Sequence, residues 1–576
     1  MTEHLLTTLV FAPAVFALVA VMASERVAKW ICLVGATATF GLSLMLLGGY
    51  REALTFDKQF EGLRAQVIEH HTKGLEGAAP AFKRALDAET VTDDLLAPMK
   101  QNKRWSEAWE KTRDEVKELE LATRNAFARD LRFVEYSDWI PIFKIHYFVG
   151  VDGLSLPLVW LTCLLTLLCL VYSWNFDGDK DPEERRPLKG FYILFLLLET
   201  GLLGVFVSLD LFLFYVFWEV VLLPSYFLIG IYGGENRNYA AIKFFIYTLV
   251  GSVLMLVAML ALYFKTAPHT FNILTLLEMS GQGAFAPGFQ LWIFLGMFVA
   301  FAIKVPVFPF HTWLPDAHVQ APTAFSVMLA GVMLKMGGYG FFRMAYPLCP
   351  DAATHPVMIM GVALLGLIGL LYGAMVALGQ NDFKSLVAYS SVSHMGYVML
   401  GLAALTPAGM TGASLQMFNH GASSGLMFLI VGIIYDRAHH RDLNRFGGIA
   451  HQMPWYFGIA IVGFFASLGL PGLNGFISEF LVFFGTYQSS VVPKWVIFAA
   501  LPALVLTAVY ILWTVKRVFL GELTNEKYKS FPDMTFNEAF AVWPLAIICI
   551  LVGVYPRIIL DVMQPAMDAV IEMTTR

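Results

Sequence analysis

Residues 290–311 read QLWIFLGMFVAFAIKVPVFPFH, with Lys304 as the single formally charged residue among them. A helix of that length can cross about 30 Å of hydrocarbon. Lys304 lies well inside the run, where its stem cannot easily carry the ammonium to water. Pro306 and Pro309 follow closely. Each removes a backbone donor and clashes with the preceding turn, so the spacing predicts a helix that breaks beside a buried amine. Backbone groups released by such a break must face protein or water, which is how membrane transporters build ion sites.

The rest of the chain supports a membrane setting. Apolar residues make up 57% and charged residues 14%, with a mean hydropathy of +0.64. An average soluble domain is about a quarter charged, and no soluble fold of this size has interior enough for so much apolar side chain. Apolar runs recur near 5–23, 30–49, 155–174, 190–208, 211–231, 243–264, 290–311, 323–345, 356–379, 386–404, 410–435, 455–485, 495–515 and 539–556. The expected fold is all-α and polytopic, with about fourteen transmembrane helices. The first run is expected to be retained: Met-Thr-Glu-His lacks a positive n-region, and the run is long for a signal peptide.

Lys and Arg in short loops set the expected orientation. Arg26 and Lys29 follow the first run; Lys180, Arg185, Arg186 and Lys189 follow the third. Arg437, Arg441 and Arg445 follow the eleventh, and Lys516, Arg517, Lys527 and Lys529 the thirteenth. The positive-inside rule places these loops in the cytoplasm and both termini outside. Residues 51–140 are hydrophilic and are expected outside as a solvated helical hairpin. In them Lys103, Glu107, Lys111 and Glu115 form an i,i+4 ladder, beside an apolar stripe of Trp105, Trp109, Val116 and Leu119.

An ionised group at mid-bilayer is expensive, so each one needs a reason. The runs contain Glu199, Glu219, Lys304, Lys335, His394, His420 and Glu479. Glu479 follows Gly469, Pro471, Gly472 and Gly475, predicting a second broken helix. Asp210, Lys265 and Lys384 lie at predicted helix ends and are expected to be interfacial. Acid, amine and imidazole in alternation suit a proton relay, since each must take and release a proton. In general, burial disfavours a protonated amine and a nearby carboxylate favours it. A change in the Glu219–Lys304 separation can therefore switch proton occupancy. A shift of two pKa units is roughly 2.7 kcal/mol, enough to move one charge against 100 mV at about 2.3 kcal/mol.

Other classes find no support. Cys32, Cys163, Cys169, Cys349 and Cys549 form no C-x-x-C pair, so no iron–sulfur or zinc motif is present. No dinucleotide fingerprint or P-loop occurs, and a net charge of −5 without a basic stripe argues against nucleic acid.

Several motifs together resemble the antiporter-like subunits of proton-pumping NADH:quinone oxidoreductase (respiratory complex I), the M subunit most closely, the counterpart of mitochondrial subunit four. They are Val151-Asp-Gly-Leu-Ser-Leu-Pro157, Trp218-Glu-Val-Val-Leu-Leu-Pro224 and Ile229-Gly-Ile-Tyr-Gly-Gly-Glu-Asn236 with Ala240-Ala-Ile-Lys-Phe-Phe245. Pro309-Phe-His-Thr-Trp-Leu-Pro-Asp-Ala-His318, Ala388-Tyr-Ser-Ser-Val-Ser-His-Met-Gly396 and Gly469-Leu-Pro-Gly-Leu-Asn-Gly-Phe476 continue the series. The resemblance covers about 1–50 and 141–576; the insertion 51–140 departs from the usual pattern.

The resemblance implies two inverted five-helix repeats, in which helices 7 and 12 are broken. Its divisions are two N-terminal helices (1–50), the insertion (51–140), a third helix and cytoplasmic loop (141–189), the repeats (190–347 and 348–520), and a C-terminal loop with the last helix (521–576). It implies Glu219 and Lys304 as the input pair, Lys335 as the central lysine, His394 and His420 as connectors and Glu479 as the outward exit, with Glu199 a further carboxylate of less defined role. It places the chain in a bacterial inner membrane beside sister antiporter-like subunits. FMN, iron–sulfur clusters and quinone are expected in partner subunits, with no cofactor or metal in this chain. A subunit of a multi-subunit sodium/proton antiporter or of a membrane-bound hydrogenase is the alternative.

Overall fold

In the computed structural model, residues 4–88, 93–176, 186–523 and 525–576 are described. Lys180 and Arg185, in the expected cytoplasmic loop after the third run, lie outside them. Among the described residues, 12 helices are long and apolar enough to cross a membrane. Shorter apolar helices, Leu5–Val21 and Pro454–Leu468, occupy the positions of two other expected spans.

Burial divides these helices into an inner set and an outer set. Thr323–Leu348 and Pro407–Ala438 are 100% buried over their most apolar window and Phe383–Ala404 is 94% buried, whereas Arg237–Lys265 and Lys494–Val518 are 39% buried. Two of the inner three also bury many polar side chains: Ser390, Ser391 and Ser393 in Phe383–Ala404, and Ser414, Gln416, Asn419, Ser423 and Ser424 in Pro407–Ala438. The molecule is thus apolar outside and polar at its centre, the inverse of a soluble domain.

Both predicted breaks are present. Pro287–Lys304 ends at the lysine, and the chain resumes as a short helix, Trp313–Gln320. Pro454–Leu468 ends at Gly469 (φ 78°), and Asn474–Gln488 begins after Gly472 (φ 94°), a left-handed conformation natural to glycine. A further irregularity has no sequence signature: π-turns at Leu329–Met333 and Phe341–Ala345 flank Lys335 within Thr323–Leu348.

Among the described residues, the fold is helical except for one antiparallel hairpin, β1 (Arg132–Ile140) and β2 (Ile145–Val151). This hairpin was not expected, and it straddles the boundary set at 140. Glu135 on β1 accepts from the backbone N–H groups of Leu6 (2.8 Å) and Thr7 (3.3 Å), placing an anion at the start of Leu5–Val21. The insertion forms helices Phe56–Thr72, Ala78–Asp87, Asp93–Gln101 and Lys103–Thr123. They share a small core of Ile68, Phe82, Met99 and Trp109. The expected stripe is buried at Trp109, Val116 and Leu119. Lys103 and Glu107 do pair, at 3.9 Å. Glu115 departs from the ladder: it turns inward to His71 at 2.6 Å.

Candidate functional site

Lys335, His420, His394 and Glu479 are brought together at the centre. Lys335 Nζ lies 2.7 Å from His420 Nδ1 and also donates to the Ala330 carbonyl, five residues back across the first π-turn. An ammonium can only donate, so in that state His420 Nδ1 is the acceptor and its proton sits on Nε2. His420 Nε2 has no hydrogen-bond partner among the described residues. The His420 ring lies 5.6 Å, centroid to centroid, from His394. His394 Nε2 contacts Ser467 Oγ at 2.8 Å, and its Nδ1 is 3.2 Å from Glu479 Oε1, at ion-pair distance but off the hydrogen-bond axis. Glu479 Oε2 faces the second helix break, 2.9 Å from where a Cβ on Gly469 would sit.

Lys304 and Glu219 form a separate group. Lys304 is 1% exposed, and its Nζ has no hydrogen-bond partner among the described residues. Its amine lies 5.3 Å from the Trp218 ring centroid and 5.7 Å from that of Phe244, a cation–π cradle. Glu219 is half-buried, with Oε1 unpartnered among the described residues, and is the carboxylate whose field reaches Lys304. The helix carrying it is interrupted at Val221, three residues before Pro224. Beside the two lysines the chains touch closely: a Cβ on Gly337 would lie 2.6 Å from the Phe301 carbonyl oxygen and 3.0 Å from Val305 N.

Glu199 stands apart. It is fully buried beside Cys163, and neither carboxylate oxygen has a hydrogen-bond partner among the described residues. The three residues expected at helix ends do lie there, and two of them are buried within the protein. Lys384 is buried: its Nζ donates to the Ala321 carbonyl at 2.5 Å, because the short helix after the first break folds back over it. Asp210 is also fully buried. It caps Leu211–Val220 by accepting from Phe212 N (2.9 Å) and Leu213 N (3.1 Å), and it accepts from His146 N at 3.3 Å. Lys265 is exposed at its helix end, as expected.

Two further buried polar positions escaped the sequence reading. His318 is fully buried, with neither ring nitrogen partnered among the described residues, and stacks on Phe428 at 4.4 Å. It lies in the fields of Lys335 and Lys384. Its position inside a quoted motif was the available signal. Arg343 is 0% exposed and donates to Asp152 Oδ2 at 2.6 Å. It sits within the apolar run 323–345, close enough to the end to pass for an interfacial arginine.

Broken helices, an apolar exterior and a polar centre with linked amines, imidazoles and carboxylates define an antiporter-like membrane subunit. A family model for the transmembrane region of NADH:quinone oxidoreductase/Mrp antiporter proteins matches residues 208–507. NADH-quinone oxidoreductase subunit M of Rhodobacter capsulatus is 44% identical over 451 residues, 77% of this chain and 85% of that protein. The subunit M of Rickettsia prowazekii is 42% identical over 438 residues, 76% of this chain and 86% of the relative. A chain of respiratory complex I from Thermus thermophilus matches with a TM-score of 0.76 and 27% identity, covering 100% of both chains. The chain belongs to the subunit M family of NADH-quinone oxidoreductases.

Proposed function

We propose that this chain is the proton-translocating antiporter-like subunit of an NADH:quinone oxidoreductase, working beside sister membrane subunits. The observation that carries the reading is the buried succession Lys335–His420–His394–Glu479, in which neighbouring groups lie 2.7 Å apart, 5.6 Å between ring centroids, and 3.2 Å apart. Groups that can both accept and donate, placed in contact, are what stepwise proton transfer requires. In this reading Glu219 and Lys304 form the loading pair. Quinone reduction in partner subunits, which hold the FMN, iron–sulfur clusters and quinone, alters the Glu219–Lys304 separation. The proton then passes through Lys335 and the histidines to Glu479 and leaves on the outer side. Glu199 is an auxiliary carboxylate. The fourteen-span count, the inverted repeats, both termini outside and the bacterial inner membrane belong to the same proposal, in agreement with the placement of Lys and Arg.

Lys304→Ala and Glu219→Ala in the intact complex, reconstituted in vesicles, are expected to lower protons moved per NADH oxidised while leaving assembly unchanged. Full pumping by either variant removes that residue from the pathway. A sodium-dependent pH change without quinone chemistry would identify an antiporter subunit instead, and a hydrogen-linked electron donor a hydrogenase subunit.

A further inference from the structure

The insertion carries a cluster that proton transfer through the membrane helices does not use. His70 and His71 lie in Phe56–Thr72, Glu115 in Lys103–Thr123 and Asp138 on β1. Ligand atoms of His71, Glu115 and Asp138 all lie within 4.8 Å of one another. His71 Nε2 is 2.6 Å from Glu115 Oε2, and His70 Nε2 is 3.7 Å from Asp138 Oδ2. Strand register explains one further neighbour: Asp138 is paired across the hairpin with His146, so both side chains share a face, with His146 Nε2 3.2 Å from Asp138 Oδ1. His146 is 5% exposed, stacks on Tyr136 at 5.0 Å, and keeps its Nδ1 buried and unpartnered among the described residues. The Tyr136 hydroxyl is likewise buried, beside Glu115.

We propose that His71, Glu115 and Asp138, joined by His70, bind a divalent transition-metal ion of the zinc class and so fasten the insertion to the hairpin. An ion-pair network needs one imidazole per carboxylate, and here His71 with Glu115 and His146 with Asp138 already supply that. His70, a second imidazole at the same aspartate, exceeds it. Imidazole with carboxylate is a donor set suited to zinc, and its bonds of about 2.0–2.2 Å put tetrahedral ligand atoms roughly 3.4 Å apart. The three core donors approach that spacing by opening the shortest contact and closing the longest. His70 is 64% exposed and free to turn in, whereas His71, Glu115 and Asp138 are 12%, 12% and 10% exposed. Four protein ligands leave no open position, so the site is structural rather than catalytic. His146 orients Asp138 from behind, as outer-shell partners of metal ligands do.

The test is zinc titration of the chelator-stripped intact complex, with X-ray absorption at the zinc edge. One zinc equivalent per chain at sub-micromolar affinity is expected, with a nitrogen/oxygen shell free of sulfur. His71→Ala and Glu115→Gln should remove that equivalent in a complex that stays whole on native gels. His146→Phe should weaken binding by about 10–100-fold. Zinc should also protect Phe56–Thr72 from protease in the unsubstituted complex. Equal zinc content in the unsubstituted and His71→Ala complexes, a sulfur-containing shell, or binding only at millimolar zinc each overturns the proposal. Should the substitutions disassemble the complex, the absorption shell and the protease protection of the unsubstituted protein still decide it.

Discussion

Asp130 shows how burial acts on one carboxyl. It accepts from Gly153 N at 3.0 Å, with Arg132 3.8 Å away. Burial first, and then the Asp152 carboxylate, raise its pKa from 3.8 to about 6. Below pH 4 the folded and unfolded chains both hold this proton. Between about 4 and 6 the unfolded chain releases it first, so folding stability falls as pH rises through that window and stays reduced above it. The difference amounts to about 3 kcal/mol at neutral pH. Asp130→Asn keeps an acceptor for Gly153 and removes the charge. It should raise the unfolding temperature at pH 7 and leave it nearly unchanged at pH 4. Equal effects at both values would show that Asp130 titrates alike in the two states. Much of the site was legible at this scale, because a charge in an apolar run announces its own cost. Lys335, His394, His420 and Glu479 were all found that way and do meet. The burial of Lys384 and of Arg343 was not legible, because distance along a helix does not reveal what folds over its end.

At the scale of elements, proline and glycine marked both helix breaks, since each changes the backbone itself. The π-turns around Lys335 left no such mark, because an i→i+5 bond can form without any special residue. The hairpin was hidden for another reason. Glu135 and Asp138 make β1 read as a solvated segment, whereas both are held inward, by the Leu5–Val21 N-terminus and by His146. The close approach of the two lysine-bearing helices depends on Gly337. A methyl group there would meet backbone atoms of Phe301 and Val305, which cannot swing aside as a side chain could. Gly337→Ala should therefore destabilise by about 1–3 kcal/mol and depress proton transport by pushing Lys304 away from Lys335. Gly361→Ala, with no atom within 4 Å of the new methyl, is the control. It should stabilise its helix by roughly 0.5–1 kcal/mol. Similar unfolding temperatures for the two variants would remove Gly337 from this role.

For the whole molecule, the balance between stability and function can be read from how its buried charges are paired. Arg343 and Asp152 are each 0% exposed and bonded at 2.6 Å, and Asp152 also accepts from Ser155 N at 3.0 Å. Removing one partner strands the other, so Arg343→Met should destabilise by about 3–5 kcal/mol. Lys304 is as deeply buried, but its Nζ has no hydrogen-bond partner among the described residues. Methionine nearly matches lysine in volume and takes away no hydrogen bond made among the described residues, so the loss of stability should be far smaller than at Arg343. Lys304→Met should thus leave the unfolding temperature nearly unchanged, while proton transport falls. The same change of residue type then has very unequal effects on stability at two sites of equal burial. That separates a charge kept to hold the fold from one kept because its proton must move. Calorimetry of both variants, with pumping measured on the same preparations, is the check. Marked destabilisation by Lys304→Met would make that lysine a structural group and leave the loading pair without its base.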